Sequence, residues 1–69
     1  MMSDCIRSLI LQCEKLAKIE DEKTLMASME IATSAHRLSK GIGDRDLVRA
    51  ARAAYDASFS ALCKLPVTV

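Results

Sequence analysis

The residues with the most reactive side chains are Cys5, Cys13 and Cys63, which could act as thiolates, and His36, the single histidine, which could serve as their base. A thiolate–imidazolium pair needs its two groups within hydrogen-bond reach, in a pocket that holds the substrate. A helical chain of 69 residues has little volume for a cleft of ~300 Å³ or more. A lone histidine beside an apolar helix face is more often a partly buried hydrogen-bonding residue, so no catalytic residue is expected. Metal binding is no better supported. No cysteine stands three or four positions from His36, and no C-x-x-C pair occurs. Neither a metal nor any other cofactor is expected. An odd number of thiols with no leader-like segment before them argues against disulfides, and each cysteine reads as a small buried hydrophobe or a free thiol.

Two further patterns could bind rather than react. Gly41-Ile42-Gly43 is glycine-dense but lacks the lysine and the strand–turn–helix setting of a phosphate loop, and helix capping accounts for both glycines. Arg45, Arg49 and Arg52 follow at i, i+4 and i+7, a basic ridge on one line of a helix. A recognition helix in a DNA groove would use such a ridge. However, Asp44, Asp46 and Asp56 surround it and would repel phosphate. If Gly43 were the turn glycine of a helix-turn-helix, Arg49 and Arg52 would occupy positions that need buried apolar side chains. A formal charge of +1 adds no attraction for nucleic acid or an anionic membrane. A DNA-binding regulator using this ridge stands as the alternative reading.

The elements that must carry these residues are helices. The chain is 51% apolar and 28% charged, with two aromatic residues, one proline and two glycines, which leaves little material for a sheet. An all-α fold in a single domain is expected, with helices over about 4–18, 22–39 and 45–64 and a short apolar tail at 66–69. Ser3 or Asp4 is placed to cap the first helix, whose apolar face holds Ile6, Leu9, Ile10, Cys13, Leu16 and Ala17. Asp21 is placed to cap the second, with Leu25, Met29, Ile31, Ala32, Ala35 and Leu38 on its apolar side. Since no Gly or Pro interrupts residues 4–40, one continuous helix of ~55 Å remains open as a rival to the first two. Both versions predict a helical hairpin closed by Gly41-Ile42-Gly43, with the helix end near Lys40 and Gly41. Pro66 stops the last helix.

The last helix organises the rest. Leu47, Ala51, Ala54, Ser58, Ala61, Leu62 and Leu65 fall on one stripe, and its small side chains let other helices approach closely. The bulky face of the first helix should interdigitate with that seam. Beside the seam run Val48, Tyr55 and Phe59, next to the arginine ridge. Tyr and Arg are the residue types that most often carry binding energy, which favours an interface. The competing reading wedges the aromatic rings under another helix of the same chain.

Leu11 falls opposite its helix's core stripe, ringed by Asp4, Arg7, Ser8, Lys15 and Lys18, and is a candidate contact. Met26 sits on a polar side with Lys23, Glu30 and Thr33, where a flexible thioether suits an adaptable surface. A domain this short buries only ~60% of its unfolded surface, so self-association, most simply as a homodimer, is expected. Apolar runs such as Leu9-Ile10-Leu11 are far too short to span a bilayer, and a cytoplasmic protein is expected. The function read from this is contact with a larger protein as an inhibitor, adaptor or assembly factor. Leu11, Met26, Tyr55 and Phe59 serve as apolar anchors, and Arg45, Arg49 and Arg52 set orientation. In size and lack of reactive motifs the chain resembles the small helical proteins with which phages and mobile elements block host factors, a likeness that rests on no specific positions.

Overall fold

The computed structural model describes residues 2–65, which form three helices: α1 (Met2–Leu16), α2 (Glu22–Ile42) and α3 (Arg45–Cys63). The all-α expectation therefore holds, and the continuous helix over 4–40 does not. What breaks it is a cap rather than a glycine or proline. After Leu16 the bonding tightens from Ala17 N–H to the Cys13 carbonyl (2.8 Å) to Ile19 N–H to the Leu16 carbonyl (3.0 Å). Asp21 is then extended, with φ −138° and ψ 125°. Its Oδ2 accepts from the Thr24 backbone N–H at 3.0 Å and from the Thr24 hydroxyl at 2.7 Å, which satisfies donors that a helix start leaves free. The same bonds hold the Asp21 carboxyl below its ordinary pKa, because they favour the ionised form.

The other ends differ slightly from expectation. Ser3 and Asp4 lie inside the first turn of α1 rather than capping it, since that helix already begins at Met2. Gly41 is helical, and the turn glycine is Gly43, at φ +73°. Gly43 donates to the Lys40 carbonyl at 3.2 Å and Asp44 to the Ser39 carbonyl at 3.1 Å, a Schellman closure that needs the left-handed residue. Asp44 then opens α3, its Oδ1 accepting from Leu47 N–H at 3.1 Å. One residue thus ends one helix and starts the next. The stop at Pro66 and the tail at 67–69 lie outside the described residues.

Three faces meet in the core. Ile6, Ile10 and Cys13 from α1 pack with Ala32 and Ala35 from α2 and with Leu47, Ala51 and Ala54 from α3. The two isoleucines against the alanine seam are the expected pairing of bulky with small, and all three helices touch one another. Leu25 is also fully buried. Leu38, placed on the apolar side by periodicity, is instead exposed, and Ala35 and Ser39 take the buried positions at that end of α2.

A polar joint crosses the core. Ser28, Ser39 and Ser58 are fully buried. Ser28 Oγ lies 2.7 Å from Ser58 Oγ and 3.2 Å from the Cys13 carbonyl oxygen, and Ser58 Oγ lies 3.1 Å from the Ala54 carbonyl oxygen. Two hydroxyl protons serve these three contacts. When Ser58 donates to Ser28, Ser28 donates to the Cys13 carbonyl and the chain of bonds joins all three helices. When Ser28 donates to Ser58, Ser58 donates to the Ala54 carbonyl. The Cys13 thiol donates in turn to the Ser28 carbonyl at 3.3 Å. No buried side-chain oxygen or nitrogen among the described residues is left without a partner, as a buried polar group requires.

Candidate functional site

Two grooves flank α3, and between them they hold most of the residues singled out from sequence. The register of the first follows from the Ser28–Ser58 contact, which sets positions fifteen before and fifteen after Gly43 side by side. Helices α2 and α3 therefore run antiparallel along their whole shared length, unlike the steep crossing of a helix-turn-helix. At one end of their outer seam Met26, Met29, Glu30, Thr33, Tyr55 and Leu62 line a shallow depression of about 250 Å³. At the other end Thr33, His36, Arg52, Tyr55 and Asp56 border one of about 290 Å³. Thr33 and Tyr55 belong to both, so the two form one groove with an apolar end and a charged end.

Tyr55 is half-buried and packs on the core, while Phe59 is 50% exposed. Their rings stack with centroids 6.5 Å apart and planes 12° apart, an offset geometry that extends the apolar wall toward solvent. Each reading of the aromatic pair therefore describes one ring: Tyr55 is wedged under α2, and Phe59 is displayed. Met26, 51% exposed, stands across the groove. Arg45, Arg49 and Arg52 are all exposed, with Arg52 at the groove and the other two continuing along α3.

Leu11 is elsewhere. It is 57% exposed and, with Arg7, Ile10, Asp46, Leu47 and Ala50, lines a separate and mostly apolar groove of about 320 Å³ between α1 and α3. Met26, Arg52 and Tyr55 thus share one groove, Phe59 adjoins it through Tyr55, and Leu11 is not with them.

Sequence reasoning missed His36, Thr33, Met29 and Leu62 as groove residues. Met29 and Leu62 belong by periodicity to apolar stripes and Thr33 to a polar side, and only the register of α2 against α3 brings them into one wall. The reactive side chains do not converge. Cys13 lies inside the bundle, where burial pushes its thiol pKa up, while His36 faces the outer groove. Cys5 and Cys63 are exposed free thiols. Among the described residues no three or more His, Cys, Asp or Glu side chains are grouped to hold a metal ion, and no helix is long and apolar enough to cross a membrane. Comparison with protein-family models, curated proteins and solved structures gives no match to this chain.

Proposed function

We propose that the protein acts by contact, as a small self-associating helical module that docks onto a larger protein and works by occlusion or bridging, in the manner of an inhibitor, adaptor or assembly factor. The observation that carries this reading is the α2–α3 groove, lined by Met26, Tyr55 and Arg52, with Phe59 stacked on Tyr55 at its edge. A rigid aromatic anchor set in an apolar wall, with an arginine beside it, is the arrangement that concentrates binding energy in protein interfaces. The Met26 and Met29 thioethers let the opposite wall adapt to a partner's shape. A larger argument points the same way. Four large apolar side chains are buried (Ile6, Ile10, Leu25, Leu47), whereas Met2, Leu11, Ile19, Met26, Leu38, Ile42 and Phe59 are exposed. Large apolar groups left exposed gain by being covered.

The alternative, a DNA-binding regulator using Arg45, Arg49 and Arg52, draws on the exposure of all three. Against it stands the side-by-side packing of α2 and α3, which leaves no protruding recognition helix. A photo-reactive side chain placed at Phe59 in cells that express the protein tests the choice, with the exposed Ser34 as the control position. The expected result is a discrete adduct to a different protein from position 59, absent from position 34 and lost on Tyr55→Ala. Adducts of equal yield from both positions, or retention on duplex DNA that falls steeply with salt, would overturn the reading.

A further inference from the structure

We propose that the outer face of α2 and α3 takes an acidic segment of another protein, with large apolar side chains over the Met26, Tyr55 and Leu62 end and carboxylates over the end toward Gly43. This rests on the docking reading above and names the chemistry of the partner; it makes no use of self-association.

Helical period and register gather cations at the end toward Gly43. Thr33 and His36 border the groove on α2, and Arg37 and Lys40 follow them by four residues, so each stands one turn further along the same face. Arg52 borders the groove on α3, with Arg49 and Arg45 one and two turns back toward Gly43. The Ser28–Ser58 contact sets those positions opposite each other, which puts Arg37, nine residues after Ser28, level with Arg49, nine residues before Ser58. All five cations are exposed. The aspartates beside them in sequence mostly turn elsewhere: Asp44 caps α3 through the Leu47 N–H, and Asp46 lines the α1–α3 groove. Asp56 alone of the three lines the groove with Arg52. Five cations against that one carboxylate give this half of the face a charge of +4, while the whole chain carries +1, so the remainder carries −3. A near-neutral total conceals a segregated charge.

The basic half runs straight into the apolar half. Tyr55 lines both depressions, Met26, Met29 and Leu62 lie beyond it, and Phe59 stacks on its ring. From Phe59 to Arg45 the face is about 21 Å long at the rise of an α-helix. A ligand that matches both halves carries apolar groups and anions on one chain, as does a polypeptide with Leu or Phe beside Asp and Glu. Nucleic acid matches only the cations. It would leave Met26, Met29 and Leu62 uncovered and bring phosphates toward Glu30 at the apolar end. On a polypeptide the division of labour is physical: the Tyr55 and Met26 end excludes water and holds the segment, and the arginines steer it in and fix its direction.

The test selects random peptides of about 15 residues, long enough to cover that length as a helix, on the immobilised full chain. Enriched peptides are expected to combine several large apolar side chains with a cluster of Asp and Glu toward one end. The tightest of them, made synthetically, should bind ~tenfold more weakly to Arg49→Glu and to Arg37→Glu, and more weakly still to Tyr55→Ala. Met26→Ala, at an exposed position, gives the apolar end a second variant, and circular dichroism checks that each chain is helical. Lys15→Glu, which reverses an exposed cation on α1, should leave binding unchanged. A peptide with its acids replaced by lysine should prefer the Arg49→Glu chain to the parent, a reversal that loss of structure cannot produce. The proposal is overturned if the enriched peptides are neutral or basic, if none is enriched, or if Lys15→Glu weakens binding as much as Arg49→Glu. It is also overturned if short duplex DNA displaces the peptide and itself binds with a steep salt dependence. Its failure is separable from that of the docking reading: neutral peptides that are lost on Tyr55→Ala overturn only the acidic partner, whereas acidic peptides indifferent to both Tyr55→Ala and Met26→Ala overturn the groove as the docking site.

Discussion

The two grooves that flank α3 make different demands on a partner. Between α1 and α3 Arg7, Ile10, Leu11, Asp46, Leu47 and Ala50 line a mostly apolar groove. Between α2 and α3 the groove holds Arg52, His36 and Asp56 at one end. That groove also grades from methionine and aromatic rings at one end to charge at the other. We propose self-contact for the first, through the exposed Leu11, and a different molecule for the graded second. One alanine-seamed helix supplies a wall to both, since small residues at its centre bring α1 and α2 close and leave the flanking positions to form two edges.

The largest effect should come from removing the support that both grooves share. Ile10→Ala deletes a buried side chain that is at once core and a wall of the α1–α3 groove. It should cost about 2–5 kcal/mol in denaturant unfolding and abolish self-association in the same concentration range. Next comes Tyr55→Ala. It should weaken capture of the partner by about 2 kcal/mol, close to thirtyfold in affinity, while leaving self-association untouched, as measured on the partner found through the Phe59 adduct.

Ser28→Ala should sit lower still. It removes the hydroxyl that links α1 to α3, costing about 1–2 kcal/mol in thermal or denaturant unfolding. Both kinds of binding should keep their relative strengths, because the joint lies under neither groove alone.

The smallest effect is a pH dependence. Burial raises the Cys13 thiol above its ordinary value of 9.0, so the neutral thiol is favoured in the folded chain. Its contribution to stability is complete below that ordinary value. It is lost as pH rises toward the higher folded value, because the unfolded chain releases its proton first. Unfolding curves should therefore show a decline in stability above about pH 9 that is reduced in Cys13→Ala.

Much of this architecture is written in local pattern. The stripes of α1 and α3 follow the 3.6-residue period, and Asp21 and Asp44 stand where caps belong, so the helical regions and most of their inner faces can be read directly. Leu11 is legible as exposed for the same reason. Ser28 and Ser39 are harder: serine usually marks a surface, and only their spacing from Leu25, Ala32 and Ala35 places them inside. The break at 17–21 is ambiguous from propensity because its residues are good helix formers, and the side-chain bonds from Thr24 to Asp21 decide it. Least legible is the meeting of Met26 with Tyr55. It depends on the register of two helices, which the Gly43 turn and the Ser28–Ser58 contact set together, and no window of sequence contains both.

The assignment of one groove to self-contact and the other to a partner is tested most directly by the solution mass of three proteins over one concentration series: the parent chain, Leu11→Glu and Tyr55→Ala. The parent and Tyr55→Ala should both approach twice 7.5 kDa, and Leu11→Glu should remain at 7.5 kDa while keeping its helical spectrum. A Tyr55→Ala chain that falls to monomer while Leu11→Glu stays dimeric would place self-association in the α2–α3 groove and contradict the account.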